Sequence, residues 1–138
     1  MSLKVVKDEL IKTLDAATSG FAGNYKIGLF KNNFTPGNTS VIGDVTPADF
    51  SGYSTVGLHT FSSWASATWN SPRAEATHAD VTWTHNGGGT SNDIYGYYVV
   101  DGSGNLAWAE RYASAPVTLS GSGQSFTVSP KYTRRSEF

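Results

Sequence analysis

The three histidines are the first residues to consider for catalysis or metal binding. His78 and His85 fall in one stretch of alternating character and are an odd number of residues apart, so in a strand they would point to opposite faces. His59 lies far from both along the chain. The sequence has no HExxH motif and no carboxylate–histidine spacing of the kind that binds zinc. We therefore predict no metal site and no cofactor.

Serine, cysteine and carboxylate chemistry gives no recognisable pattern either. There is no GxSxG nucleophile elbow, and the absence of cysteine excludes thiol nucleophiles, thiolate metal sites and disulfides. The acidic residues show no spacing that predicts a glycosidase pair. Residues 86–92 are rich in glycine but lack the lysine and following helix of a phosphate loop, so we expect a flexible hairpin end. The sequence predicts a protein that is not an enzyme.

Glu110 and Arg111 interrupt an otherwise apolar strand at residues 106–112. Neighbouring residues of a strand point to opposite faces, so at most one of the two side chains enters the core. In one interpretation, one is solvated and the other pairs across strands. In the other, the pair forms a salt bridge to a second subunit. Both are candidate interface residues.

The tryptophans are the remaining chemical signal. Trp83 and Trp108 stand in regular alternation and are predicted to lie in the core. Trp64 and Trp69 stand in irregular sequence and are predicted to lie at the surface. Exposed flat rings of this kind stack on sugars or anchor protein interfaces.

One amphipathic helix is predicted over residues 3–18, with Ser2 as its N-cap and residues 19–20 as its stop. Its apolar residues recur at three- and four-residue spacing and form one stripe. A helix of this length is marginal alone in water, so the stripe must pack on the chain's own sheet or on a neighbouring subunit. The candidate interface residues on the stripe are Leu3, Val6, Leu10 and Leu14.

Beyond residue 24 the hydrophobic period changes to two, which is typical of strands. The hairpin of 94–100 and 106–112 is the best defined, because 101–105 has turn residues throughout. Residues 46–50 are predicted to form a single helical turn that starts at Thr46. Further strands are predicted at 25–30, 53–61 and 74–85, near 117–119, at 126–128 and at 131–133.

Short strands about ten residues apart favour an antiparallel β-sandwich, with a jelly roll as one form of it. A single sheet of this width would leave one apolar face in water. We therefore expect a mainly β protein with one N-terminal α-helix. The expected organisation is a helix or arm at residues 1–23 and a β-sandwich domain at residues 24–138.

The charge distribution argues against nucleic acid and membrane partners. The formal net charge is −1, and the only dense basic group is Lys131, Arg134 and Arg135, which we interpret as a solvated tail. No stretch approaches the roughly 18 apolar residues that a membrane-spanning helix needs. We therefore expect neither nucleic acid nor a membrane as partner.

The strand sequences also resemble a known group of proteins. Residues 27–36, 50–53, 94–100, 106–112 and 126–133 are similar to small proteins encoded in the structural-gene regions of tailed bacteriophages. The resemblance spans most of the chain outside the N-terminal helix. It implies a virion component that is made in the bacterial cytoplasm.

The leading hypothesis is a capsid decoration, or cement, protein whose partners are the capsid subunits. It would form a homo-oligomer, for example a trimer, that covers edge strands. The alternative is a tail or fibre receptor-binding module that recognises carbohydrate through Trp64, Trp69 and residues 86–92. A third alternative, a hydrolase on a β scaffold, would need two carboxylates that converge in a deep pocket.

Overall fold

The structure, a computed structural model, describes residues 4–53 and 57–138. In this part the fold is mainly β with antiparallel strand pairing and an α-helix near the N-terminus, as the sequence predicts. The elements are α1 (Lys7–Phe21), β1 (Lys26–Phe30), a 3-10 helix (Ile42–Asp44), β2 (His59–Thr60), β3 (Thr68–Asn70), β4 (Arg73–Thr77), β5 (Val81–Thr84), β6 (Asn92–Ile94), β7 (Gly96–Val100), β8 (Leu106–Arg111), β9 (Val117–Leu119), β10 (Ser125–Val128) and β11 (Lys131–Arg135).

Packing divides the chain into two compact units. The first combines Met1–Gly23, Phe61–Asp80 and Ser129–Phe138, and the second combines Asn24–Thr60 and Val81–Val128. This grouping differs from an arm at 1–23 followed by a domain at 24–138. The reason is that the helix packs with strands from two later segments of the chain.

The first unit is a three-stranded sheet, in the order β11-β4-β3, with α1 packed on one face. Leu10 and Leu14 of the helix are buried in one cluster with Ala74 and Ala76 of β4. The small alanine side chains let the helix lie close to the sheet. Of the two alternatives left open by the sequence, the apolar stripe packs on the chain's own sheet.

The helix begins later than the sequence predicts. Its first residue is Lys7, and Val6 occupies the N-cap without a side-chain hydrogen bond. The predicted cap, Ser2, and the first predicted stripe residue, Leu3, lie outside the described residues.

The helix also ends later, because residues 19–20 do not stop it. Phe21 is the last helical residue and is buried, with its ring edge-on to Trp64 at 6.0 Å and to Tyr132 at 5.2 Å. Gly23 then adopts a positive φ of 79°, and its amide donates to the Phe61 carbonyl at 2.7 Å. Tertiary packing of Phe21 thus outweighs the weak helix propensity of Gly20.

The second unit contains a four-stranded sheet, β2-β1-β7-β8, and two-stranded sheets β10-β5 and β6-β9. Trp83 of β5 is fully buried, lies edge-on to His59 of β2 at 5.0 Å and donates its Nε1–H to the Gly57 carbonyl at 2.8 Å. The β10-β5 sheet and the four-stranded sheet are therefore two layers of a sandwich-like core. Trp83 is a core residue, as predicted.

Two predicted strands are each split in the structure. The stretch 74–85 divides into β4 and β5, which belong to different sheets, and His78 at the break donates its amide to the Pro130 carbonyl at 3.0 Å. The stretch 94–100 divides at Tyr95, whose amide donates to the Phe30 carbonyl at 3.0 Å. Alternation continues across both breaks, so periodicity alone does not reveal them.

The predicted helical turn at 46–50 is wrong. Pro47 instead forms an isolated bridge with Phe30, and the Ala48 amide donates to the Leu29 carbonyl at 2.9 Å. Pairing with β1 satisfies this segment better than a single turn would. Of the strand predicted at 53–61, only His59–Thr60 is a strand in the described part, and residues 54–56 lie outside it.

The β7–β8 hairpin is confirmed, and Gly96 is its tightest point. A Cβ atom at this position would overlap the Glu110 carbonyl oxygen and would lie 2.7 Å from the Phe30 ring. The turn is held by the Asp101 carboxylate, which accepts hydrogen bonds from the amides of Ser103 at 2.9 Å and Asn105 at 3.0 Å.

One substitution at two glycines tests these contacts. We expect Gly20→Ala to stabilise the protein by about 0.5–1 kcal/mol, because Gly20 is helical and nothing surrounds its Cβ position. We expect Gly96→Ala to destabilise it by about 1–3 kcal/mol through overpacking. Urea unfolding followed by circular dichroism measures both. Equal signs for the two changes would contradict the described packing.

Candidate interaction surfaces

The helix stripe is divided between core and solvent. Leu10 and Leu14 are buried and are covered by the chain itself, whereas Val6 is 59% exposed. Leu3 lies outside the described residues. Of the four predicted stripe residues, Val6 is therefore the one that the structure leaves open to a partner.

Trp64 and Trp69 are half-buried and pack against the cluster formed by α1 and β4. Trp64 also lies edge-on to Phe61 at 5.1 Å, and its buried Nε1–H has no hydrogen-bond partner among the described residues. Both indoles are thus part of the packing of the first unit. Each ring is only partly covered by this packing, and Trp64 also lines a cleft of about 330 Å³ with residues 62–66.

Glu110 is exposed and pairs within its own sheet. Tyr97, its register partner on β7, donates its hydroxyl to Glu110 Oε2 at 2.9 Å. Burial, and next the hydrogen bond to Glu110, raise the pKa of Tyr97. The Tyr97 hydroxyl therefore remains a donor at neutral pH, and Glu110 forms the cross-strand contact that one sequence interpretation expects.

Arg111 is half-buried and joins a distant loop to the end of β8. Its Nη1 donates to Asn33 Oδ1 at 2.7 Å and to the Phe34 carbonyl at 3.1 Å. The guanidinium also lies 5.1 Å from the centre of the Tyr95 ring. Planar guanidinium groups suit this combination of forked hydrogen bonds and stacking.

The loop at residues 31–45 is closed by its own side chains. Asn32 donates through Nδ2 to the Asp44 carbonyl and accepts through Oδ1 from the Thr46 amide, both at 2.9 Å. The Asp44 carboxylate accepts from the Val41 amide at 2.9 Å, and Ser40 Oγ accepts from the Gly37 amide at 2.9 Å. With the Arg111 contacts, these bonds give the loop a defined shape.

This loop carries two exposed aliphatic side chains. Val41 is 59% exposed and Ile42 is 39% exposed. Beside the loop, a cleft of about 340 Å³ lies between residues 36–40 and strand β8, which forms one edge of its sheet. We call residues 31–45 together with β8 the loop–edge surface. Sequence periodicity does not detect it, because a loop has no period.

The segment 86–92 is held in place rather than free. His85 is buried and lies against the Phe50 ring, with ring centres 5.8 Å apart. Its Nε2–H donates to the Thr90 carbonyl at 2.8 Å, and its Nδ1 accepts from the Gly87 amide at 2.9 Å. The histidine therefore has a structural role here. The expected hairpin is wrong, because the strands on either side of this segment, β5 and β6, belong to different sheets.

A further anchor of this segment is Asn92. Its side chain accepts from the Asp49 amide at 2.7 Å and donates to Asp49 Oδ1 at 2.9 Å. Hydrogen bonds from Lys31 and then from Asn92 hold the pKa of Asp49 below its usual value. Asp49 thus stays charged and links Lys31, the residue that follows β1, to Asn92.

Among the residues that the structure describes, Ser62 and His78 come closest to a pairing of nucleophile and base. Ser62 Oγ lies 3.4 Å from His78 Nε2, and His78 Nδ1–H donates to the Ala79 carbonyl at 2.8 Å. However, Nε2 already accepts the Ser62 amide at 3.2 Å. Its lone pair is therefore occupied, which disfavours proton abstraction from the hydroxyl.

Among residues 4–53 and 57–138, no three His, Asp or Glu side chains lie close enough to share a metal ion. No helix in the same part of the chain is long and apolar enough to span a bilayer.

The basic residues near the C-terminus are exposed, as expected, but they are not part of a tail, because residues 131–135 form strand β11. Arg135 is the register partner of Arg73 on β4, and Lys131 lies 3.7 Å from the Glu75 carboxylate. Arg73 stands far away in sequence. The closeness of Arg73 and Arg135 could be recognised from the sequence only if the pairing of β11 with β4 were already known.

His59 provides a pH-dependent contribution to stability. Desolvation lowers its pKa from 6.5, and its buried Nε2 has no hydrogen-bond partner among the described residues. Below pH 6.5 the unfolded chain binds the proton more readily than the folded chain does. The free energy of unfolding should therefore be fully retained above pH 6.5 and decrease as the pH falls through the folded-state pKa.

Replacement of His59 tests this pH dependence. We expect His59→Phe to keep the edge contact with Trp83. We also expect it to reduce the loss of unfolding free energy between pH 7.5 and 5, which lie about one unit or more on either side of the ordinary histidine pKa. His59→Gln should reduce the pH dependence of stability too. At pH 7.5, however, only His59→Phe should gain stability, by up to about 1 kcal/mol, because it removes an unpaired polar atom. Urea unfolding at each pH measures these effects. A variant with the wild-type pH slope would refute the assignment.

Comparison with known proteins gave no relatives: no family model matches the chain, and no curated protein or solved structure matches it significantly.

Proposed function

We propose that this chain is a non-enzymatic structural protein of a bacteriophage virion, a decoration protein that binds neighbouring capsid subunits. The observation that carries the proposal is the loop–edge surface, where a closed loop exposes Val41 and Ile42 beside an edge strand. The resemblance of the strand sequences to tailed-phage structural proteins supplies the virion context.

The loop is suited to association because its shape is set before binding. Hydrogen bonds that Asn32 and Arg111 donate and that the Asp44 carboxylate accepts restrict it in the free protein. Binding then costs less conformational entropy than the ordering of a mobile loop would. Val41 and Ile42 would contribute by leaving water, at about 25 cal/mol for each Å² of apolar surface buried.

The edge strand beside the loop supports the same role. β8 ends the four-stranded sheet, and the cleft along residues 106–109 gives access to it. Edge strands pair readily with other chains. Contact between copies of this chain, as in a trimer, or with a capsid subunit would cover this edge.

The composition fits a protein that acts by adhesion. The chain has no cysteine, so its folding in a bacterial cytoplasm depends on packing and not on disulfides. We place the mature protein in the virion, with capsid subunits as partners and without a cofactor.

Cosedimentation with capsid shells tests the proposal. Shells assembled from the major capsid protein encoded in the same genome, and lacking this chain, are mixed with the purified full-length protein. We expect saturable binding, and we expect Val41→Ser with Ile42→Ser to weaken it at least about tenfold, equal to about 1.4 kcal/mol.

The matched control is Val6→Ser, which removes a valine of the same 59% exposure from a different part of the chain. It should change binding by less than about twofold, within the range of surface substitutions away from a contact. If the wild-type protein does not bind the shells, the proposed function is wrong. If Val6→Ser alone abolishes binding, the N-terminal segment, and not the loop, is the contact.

A further inference from the structure

The outer face of the β11-β4-β3 sheet carries an uncompensated pair of arginines. α1 packs on the face that contains Ala74 and Ala76, so the alternate residues of β4 point to the opposite face. The strand register places Arg73 opposite Arg135 and Glu75 opposite Thr133 on this outer face. Its other members are Thr77 and Lys131 in the same ladder, and Thr68 and Asn70 of β3.

The arginine pair is unusual because like charges stand directly opposite each other. Directly opposed residues of an antiparallel pair are close neighbours, and like charges there destabilise the sheet. Arg73 and Arg135 are both exposed, and neither forms a salt bridge with any described residue. The pair therefore costs stability that no described contact recovers.

The carboxylate on this face is already engaged. Glu75, whose side chain is only 14% exposed, lies 3.7 Å from Lys131 Nζ and accepts from Asn70 Nδ2 at 3.3 Å. Its contacts are with Lys131 and with Asn70, which is the register partner of Arg73 on β3. The two arginines are thus left as adjacent guanidinium groups that face solvent.

We propose that this outer face, which we call the arginine face, binds carboxylates on an acidic protein surface. Two neighbouring guanidinium groups can each form a forked pair of hydrogen bonds with a carboxylate. An acidic partner would also remove the repulsion between Arg73 and Arg135. The inference rests on the proposed function, and it names the charge of the capsid surface that would meet this side of the protein.

The chemistry of the face favours a protein over a nucleic acid. The face presents threonine and asparagine but no aromatic ring on which bases could stack.

Binding to a labelled poly-L-glutamate peptide, measured by fluorescence anisotropy at low salt, tests the inference. We expect Arg73→Gln with Arg135→Gln to weaken binding of the full-length protein at least tenfold. Glu75→Gln should strengthen binding, because it removes a negative charge from the face and keeps an acceptor for Asn70.

The matched control is Lys7→Gln with Lys12→Gln, which removes the same two charges from exposed positions of α1. It should weaken binding less than twofold. The arginine variant should melt no lower than the wild type, because it relieves a repulsion, so loss of binding would not reflect unfolding. Equal weakening by both double variants overturns the inference.

An oligodeoxythymidylate carrying the same number of charges is the competing probe. Tighter binding to it than to the peptide overturns the assignment to a protein partner.

The shell experiment separates this inference from the proposed function. Shells that bind the arginine variant as well as the wild type would refute the arginine face and leave the decoration role intact. Arginine-dependent binding of the peptide, without binding to shells, would refute the decoration role and leave the arginine face intact.

Discussion

The Arg111 guanidinium is the contact on which the loop–edge surface depends. It lies at the end of β8, stacks on Tyr95 and donates to Asn33 and Phe34, which are far away along the chain. Charge-assisted hydrogen bonds of this kind are stronger than those between neutral groups. Through them the loop at residues 31–45, which contains one 3-10 helical turn at Ile42–Asp44, is joined to a four-stranded sheet.

That sheet is rigid because its interior is closely packed by aromatic and β-branched side chains. Four of the five β1 residues are buried, so this strand is covered on both of its faces. Gly96 lets β7 lie against Phe30 and the Glu110 backbone, which brings β8 and its terminal arginine into place. The cysteine-free chain thus positions its surface by packing and hydrogen bonds, without disulfides.

Local patterns in the sequence were sufficient for some elements. The β7–β8 hairpin was predictable because its turn residues and both strands are contiguous, and the helix because its stripe has a regular period. The breaks at His78 and Tyr95 were not predictable. They arise where backbone amides bond to Pro130 and Phe30, and alternation carries no trace of such distant partners.

The candidate surfaces, too, could be predicted from the sequence only in part. Glu110 and Arg111 were recognised as unusual in an apolar strand, but their partners were not, because Asn33 and Tyr97 are neighbours only in the folded chain. Trp64 and Trp69 were expected at the surface since their segment lacks a period. Both instead pack beside the helix, because a sheet with alanines at its centre needs large side chains around it.

The two surfaces differ in their chemistry. The loop–edge surface is apolar at its tip and offers a strand edge, whereas the arginine face is flat and basic. Aliphatic contacts contribute mainly affinity, and charged contacts contribute mainly orientation and association rate.

Amide hydrogen exchange of the full-length protein, followed by NMR, tests the central claim that Arg111 holds the loop in shape. The account predicts slow exchange at the Val41, Asp44 and Thr46 amides. It predicts that these three amides exchange at least about tenfold faster in Arg111→Lys, because a charged hydrogen bond contributes about 1.5–3 kcal/mol. The exchange rates of the β7–β8 amides should not change. Two results would contradict the account. In the first, the loop amides of the wild-type protein exchange as fast as those of an unstructured peptide. In the second, their exchange rates do not change in Arg111→Lys.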